Sequence, residues 1–95
     1  MAAYIIIRIE VKDQNLLKEY QKVAPEIVYK YHGKFIARGG DTITLEGSQE
    51  SRRIVLLEFP SLNKAKEFFN SNEYQEAIKL REDISTFEMV AVEGI

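Results

Sequence analysis

The chain has 95 residues, of which 45% are hydrophobic and 29% charged, a composition typical of one globular domain that we expect to span residues 1–95. Thirteen basic and fifteen acidic residues give a net charge of -2, and the basic residues form no cluster, so a nucleic-acid partner is not expected. The lack of cysteine excludes disulfides and thiolate chemistry. No residues stand at metal-ligand spacing, so we predict neither a metal nor another cofactor. With no apolar run long enough to span a bilayer and no leader pattern, a cytoplasmic protein without membrane contact is expected.

The first predicted element is a strand. Residues 3–11 are rich in β-branched side chains and alternate in character, which predicts a strand with one face toward a core. The core face carries Ile5, Ile7, Ile9 and Val11, and the other face carries Tyr4, Ile6, Arg8 and Glu10.

A long helix is predicted next. Asp13 is suited to cap its N-terminus, and apolar residues then recur at intervals of three and four as far as Tyr31. Pro25 lies inside this pattern and is predicted to kink or divide the helix, because proline lacks an N–H and crowds the preceding turn. Gly33 fits the left-handed residue that ends a helix.

Three extended segments follow. Residues 34–38 read as a strand, Gly39-Gly40-Asp41 as a turn, and residues 42–46 as a third extended segment, which together suggest a hairpin or a bulged excursion. Residues 52–59 form another strand pattern, which Pro60-Ser61 ends.

The last third of the chain predicts a broken helix and a closing strand. The helix begins after Ser61, is interrupted at residues 70–72 and resumes, and residues 86–93 then alternate as a strand. The order of elements is that of two β-α-β units in a ferredoxin-like sheet. We therefore predict an α+β fold in which an antiparallel sheet carries both helices on one face.

The uncovered sheet face predicts a second subunit. On that face the alternation places apolar and charged residues together: Ile6, Ile36, Ile54, Leu56, Arg8, Glu10, Arg38 and Glu58. A solvated sheet face is normally polar throughout, and large exposed apolar patches usually mark an interface. We therefore expect a twofold homodimer whose stacked sheets enclose a pocket, in which the charged residues pair with one another, with water or with a ligand.

An ordered set of short motifs spans the whole chain: AYIII from Ala3, Tyr20 to Pro25, Arg38-Gly39-Gly40, Leu45-Glu46-Gly47, Leu57 to Ser61, Ser71 to Tyr74, Arg81, and Val92-Glu93-Gly94. In these motifs the chain resembles the DUF1330 family of uncharacterised bacterial proteins. The resemblance implies a ferredoxin-like subunit that forms a dimeric α+β barrel, as in antibiotic-biosynthesis monooxygenases and muconolactone isomerase-type proteins. It implies no reaction, because relatives of one fold perform different chemistry.

The Arg38-Gly39-Gly40 segment is the first candidate ligand-binding site. Arg38 is suited to hold a carboxylate at a cavity mouth, and the glycines would let a ligand approach the backbone. The alternative, and the commoner role of such an arginine, is a structural ion pair with Glu58 or Glu46.

Glu58 and His32 are the two candidate catalytic residues. Glu58 lies on a central strand and would act as a general base if no cation accompanies it, although a buried, paired charge is the commoner role. His32 precedes Gly33, where interaction with the helix dipole is a commoner role than catalysis.

The remaining candidate ligand-binding residues are aromatic or basic. Tyr20 lies on the apolar stripe of the first helix, where a core ring with its hydroxyl reaching a polar group is the main expectation. Tyr74 and Arg81 are seven residues apart, on one side of the last helix, and are predicted to flank one opening, unless Arg81 serves only the helix C-terminus. Arg8 faces the interior of the predicted dimer.

Two classes of function remain open from the sequence. The first is a cofactor-independent enzyme that acts on a small organic acid, with Arg38 as anion anchor and Glu58 as base. The second is a binding or structural dimer without chemistry, whose interior charges pair with one another.

Overall fold

The computed structural model describes every residue from Met1 to Ile95. Its four strands form one antiparallel sheet in the order β2-β3-β1-β4, and the helices lie on one face of that sheet. This is the ferredoxin-like α+β fold that the order of elements predicted. The elements are β1 (Ala3–Val11), a 3-10 turn (Gln14–Leu17), α1 (Lys18–Lys30), β2 (Lys34–Arg38), β3 (Arg53–Phe59), α2 (Leu62–Asn70), α3 (Asn72–Ile78) and β4 (Ser85–Glu93).

The core lies between the helices and the sheet, as the alternation in β1 and β3 predicted. The larger buried side chains of these strands are those of Ile5, Ile7, Ile9, Val55, Leu57 and Phe59. Burying a side chain of this size contributes about 1.5–3 kcal/mol, so this face holds the sheet to the helices. The shortest dimension of the molecule, 16 Å, is that of a sheet with one helical layer. None of the helices combines the length and hydrophobicity that crossing a membrane requires.

The first helical region is not divided at Pro25, which was one of the two outcomes predicted there. The Asp13 carboxylate accepts a hydrogen bond from the Asn15 N–H and starts the 3-10 turn, as its capping role predicted. Pro25 lies inside α1, which runs from Lys18 to Lys30 without division. Proline removes only one backbone bond, and Tyr20, Ala24 and Val28 are buried on both sides of it. Packing on the sheet therefore keeps the helix whole.

The end of α1 is also built differently from the prediction. His32, not Gly33, has the left-handed conformation, with φ of 67°. The Gly33 N–H donates to the Val28 carbonyl at 2.9 Å. A Cβ on Gly33 would lie 2.6 Å from the Phe59 ring and 2.9 Å from the Val28 side chain. Gly33 is therefore required by close packing, and its backbone angle is ordinary.

The predicted third extended segment, residues 42–46, forms no strand, so the predicted hairpin is wrong. An extended segment becomes a strand only when another strand satisfies its backbone groups, and β2 pairs with β3 alone. Within this stretch the side chains of Ile43 and Leu45 are 80% and 88% exposed.

A bulge in β2 changes the face on which Arg38 lies. Phe35 pairs with Leu57 and Arg38 pairs with Val55, with the register shift between Phe35 and Ala37. Two steps along β3 thus correspond to three steps along β2, and the extra residue reverses the alternation after Ile36. Arg38 was predicted on the open face with Glu58, but it lies on the helix side.

The open face of the sheet divides into a charged part and an apolar part. Arg8 contacts Glu50 at 3.2 Å, while Arg52 contacts Glu50 at 2.8 Å and Glu88 at 2.7 Å. Glu58 lies 3.6 Å from Lys34. The apolar part comprises Ile6, Ile36, Ile54, Leu56, Val90 and Val92, all partly or largely exposed. Most charges of this face are thus paired within the subunit, whereas Glu10 forms no ion pair.

Candidate functional site

A cleft opens beside the edge strand β4, on the helix side of the sheet. It has a volume of about 610 Å³ and is bounded by α2, the α3 end and β4. Ligand pockets generally measure about 300–1,000 Å³, so this β4 cleft has a suitable size. Its lining is Ile5, Leu62, Ala65, Lys66, Phe69, Ile78, Arg81, Phe87, Met89, Val90 and Ala91. The two charged residues among them are both cations.

Arg81 is the buried polar group of the β4 cleft. Its residue is only 7% exposed, and its guanidinium forms no ion pair in the chain. The guanidinium lies 3.6 Å from the centre of the Phe87 ring, and one terminal nitrogen donates a long hydrogen bond of 3.4 Å to the Tyr74 hydroxyl. The Nε atom has no partner at all. A buried cation without an anion is unfavourable, so this arrangement is suited to an incoming negative charge.

Tyr20 and Tyr74 form a buried pair next to Arg81. Their hydroxyl oxygens are 2.6 Å apart, and the Tyr74 hydroxyl also contacts the sulfur of Met89 at 3.7 Å. Burial raises the pKa of the Tyr20 hydroxyl far above its ordinary value, and Tyr74 raises it further, against a smaller lowering by Arg81. Tyr20 therefore keeps its proton at neutral pH and acts as a hydrogen-bonding group, not as a base.

A second, smaller space lies beneath α1 on the far side of the tyrosine pair. This α1 cavity has a volume of about 50 Å³, which is room for one or two water molecules but not for an organic ligand. Its polar lining consists of Tyr20, Gln21, Arg38, Arg53 and Tyr74, and its other walls are apolar. Phe87 belongs to the lining of both spaces and separates them.

Arg38 and Arg53 lie at the α1 cavity with their guanidiniums unpaired. Arg38 stacks 4.3 Å from the centre of the Phe35 ring. Gly39 has a φ of 71°, and a Cβ there would collide with the guanidinium of Arg53. The first glycine of the motif therefore makes room for an arginine. A Cβ on Gly40 would meet no atom within 4 Å, and the residue is exposed.

The structure brings together four of the predicted site residues and separates the others. Tyr20, Tyr74 and Arg81 are in contact, and Arg38 lines the adjoining cavity. Arg8 and Glu58 lie on the open face, and His32 lies at the end of α1, away from both spaces. The favoured pairing of Arg38 with Glu58 or Glu46 does not occur, because the bulge directs Arg38 to the helix side.

Sequence reasoning missed Arg53, Phe87 and Lys66. The positions of two of them could have been predicted from strand alternation. Arg53 is two residues before Val55, and Phe87 belongs to the alternate residues of β4 that face the core. Residues two apart in a strand share a face, so both could have been assigned to the helix side. For Lys66 no signal existed, because its position depends on how α2 lies over β4.

Solved structures share this fold at low sequence identity. A protein of unknown function from Rhodopseudomonas palustris matches with a TM-score of 0.73 and 15% identity over 99% of this chain and 82% of that chain. The cofactor-independent oxygenase SnoaB from Streptomyces nogalater matches with a TM-score of 0.70 and 9% identity, over 99% and 93% of the two chains. A dimeric protein of unknown function and ferredoxin-like fold from Bacteroides fragilis has a TM-score of 0.56 and 15% identity, with 98% and 96% covered.

These likenesses concern the fold, since identities this low carry no activity from one protein to another. No curated protein sequence matches the chain. A family model described as a domain of unknown function, DUF1330, matches residues 2–95. The family resemblance seen in the short motifs is thereby confirmed, and the chain belongs to the DUF1330 family.

Proposed function

We propose that the protein is a homodimeric binder of a small, partly apolar organic acid, which occupies the β4 cleft with its carboxylate at Arg81. One observation carries this proposal: Arg81 is 7% exposed, without an acid partner, and its Nε lacks any hydrogen bond. A carboxylate would supply the missing charge and acceptor together, in the bidentate geometry that guanidinium favours.

The rest of the cleft fits the other end of such a ligand. Nine of its eleven lining residues are hydrophobic, so an alkyl or aromatic body would exchange water for apolar contacts. Lys66 is the second cation of the lining, and it favours the same sign of charge. A neutral or cationic ligand would leave Arg81 unpaired and bind less tightly.

Thermal unfolding of the full-length chain tests this with pairs of compounds that differ only in charge. Aliphatic and aromatic carboxylic acids are compared with the corresponding alcohols at equal ionic strength. The acids should raise the melting temperature, since a ligand at a hundred times its Kd stabilises by about 2.7 kcal/mol. The alcohols should not.

Arg81→Met and Arg52→Gln provide the variant and its control. Arg81→Met keeps an unbranched apolar side chain in the cleft and should abolish the stabilisation by acids. Arg52→Gln removes one positive charge from the opposite face of the sheet and should leave that stabilisation unchanged. Binding that survives in Arg81→Met, or no response to any acid, would contradict the proposal.

The homodimer is supported by the apolar part of the open face. Within this part, Val90 and Val92 are 54% and 49% exposed, and a chain this small gains stability by covering such apolar surface. Light scattering at micromolar concentration should give twice the subunit mass. Val92→Glu, which places a charge in the contact, should give a folded monomer; a wild type that is monomeric at that concentration would refute this part.

Catalysis is the second candidate for this protein, with Glu58 as the base. No residue lining the β4 cleft is a carboxylate or a histidine, and Glu58 lies on the opposite face beside Lys34. The geometry of the cleft therefore supports binding over general-base chemistry. Any acid that binds can be incubated with the protein in air and followed by mass spectrometry: turnover that Glu58→Gln abolishes would establish the enzymatic function.

A further inference from the structure

We propose that Arg38 and Arg53 form a second anion site, separate from the β4 cleft, which binds a small oxyanion at the rim of the α1 cavity. Its ligand class is a single carboxylate or phosphate group. The site does not depend on the acid-binding function proposed above, because it shares no cationic residue with the β4 cleft.

The two arginines lack the partners that other arginines of the same sheet have. Neither the Arg38 nor the Arg53 side chain forms a hydrogen bond or an ion pair within the chain, whereas those of Arg8 and Arg52 share the carboxylate of Glu50. Asp41, three residues beyond Arg38, forms no ion pair either. Two cations that line one cavity repel each other, and an anion between them removes that repulsion.

The positions of both guanidiniums are set before any ligand arrives. Arg38 stacks on the Phe35 ring at 4.3 Å, and the bulge in β2 pairs it with Val55, which shares the helix side of β3 with Arg53. Arg53 rests against Gly39, whose φ of 71° and missing side chain allow the contact. Guanidiniums fixed in this way lose less conformational entropy when an oxyanion binds.

The surroundings limit the size and the sign of the ligand. Every polar residue lining the α1 cavity can donate a hydrogen bond, and none of them is an acid. With a cavity of about 50 Å³, only the oxyanion itself or a group of one or two heavy atoms beneath it can be accommodated. This excludes the larger acids that fit the β4 cleft.

A titration followed by ¹H–¹⁵N NMR of the full-length chain tests this site. Inorganic phosphate and acetate are added in separate series, with chloride adjusted to keep the ionic strength constant. Saturable shifts are expected at the backbone amides of Gly39 and Gly40 and at the Nε–H of Arg53. Phosphate alone, acetate alone or both saturating would each support the site and identify its preferred oxyanion.

Adjacent arginines supply a matched pair of variants. Arg53→Gln should weaken the affinity about tenfold or more, the loss expected for one charge-assisted hydrogen bond. Arg52→Gln, its neighbour in sequence on the opposite face, should leave the affinity unchanged. Arg38→Gln, at an exposed position, provides a second variant should Arg53→Gln disturb the fold. Shifts that never saturate, or that persist equally in Arg53→Gln and Arg38→Gln, would overturn the proposal.

Discussion

Arg52 and Arg81 show how differently the two faces of the sheet hold a positive charge. Arg52 lies on the open face and donates to Glu50 and Glu88, at 2.8 and 2.7 Å. Arg81 lies on the helix side, nearly buried, with no acid and an unbonded Nε. A surface ion pair contributes little to stability, whereas an unpaired buried charge opposes it. Arg52 therefore behaves as a structural residue, and Arg81 has the features of a binding residue.

The apolar residues of β3 also differ between the two faces of the sheet, most clearly at the neighbouring residues Leu57 and Leu56. Leu57 faces the helices and is 2% exposed, while Leu56 faces the open side and is partly exposed. Leu57→Ala should lower the free energy of unfolding by about 2–5 kcal/mol, because it leaves a cavity in the core. Urea denaturation measures the change.

Leu56→Ala serves as the control and as a test of the second subunit. In an isolated subunit it should lower the free energy of unfolding by less than about 1 kcal/mol, as at a half-exposed site. If the open faces stack in a dimer, its effect should grow with protein concentration, because unfolding is then linked to dissociation. A loss as large as that of Leu57→Ala at every concentration would break the distinction between the two faces.

Arg81→Met and Arg52→Met should change the stability of the ligand-free protein in opposite directions. Arg81→Met removes a buried charge that lacks a partner and should raise the free energy of unfolding by about 1 kcal/mol. Arg52→Met breaks two partly exposed ion pairs and should lower it by up to about 1 kcal/mol. Equilibrium denaturation at neutral pH compares them. A loss of several kcal/mol in Arg81→Met would mean that the guanidinium is already well compensated.

The sequence predicts which face of β1 and β3 is buried because a strand alternates with a period of two and both strands are regular. It does not predict the position of Arg38, because the bulge at Ile36 arises from the hydrogen-bond register with β3, which no local pattern specifies. The extended segment at residues 42–46 was overpredicted for a related reason. Its composition favours a strand, but a strand also needs a neighbour.

The candidate site was predictable in part. The spacing of Tyr74 and Arg81 predicted that they share one side of the last helix. That helix ends at Ile78, so Arg81 lies in the turns after it, but the two side chains are in contact. The sequence does not predict that Arg81 lacks an acid partner. Glu82 and Asp83 follow it directly, so an ion pair of Arg81 with either of them would have been an equally reasonable expectation. Whether a charge is paired depends on the packing of the α3 end against β4, which is a property of the assembled fold.

The smallest expected effect is the pH dependence of the ion pair between Arg52 and Glu50. Hydrogen bonds from the Arg52 side chain, then from its backbone N–H, lower the pKa of Glu50 from an ordinary value of 4.5 to about 2. Because folding favours the ionised carboxylate, its contribution to stability is fully present above pH 4.5 and is lost as the pH falls toward 2. The melting temperature of Glu50→Gln should therefore lie below that of the wild type at pH 7. This difference in melting temperature should disappear as the pH falls from 4.5 toward 2. The gap between Arg81→Met and the wild type should stay constant over the same range, because no acid of the chain pairs with Arg81. A gap for Glu50→Gln that is independent of pH would show that the carboxylate is not held by Arg52 in solution.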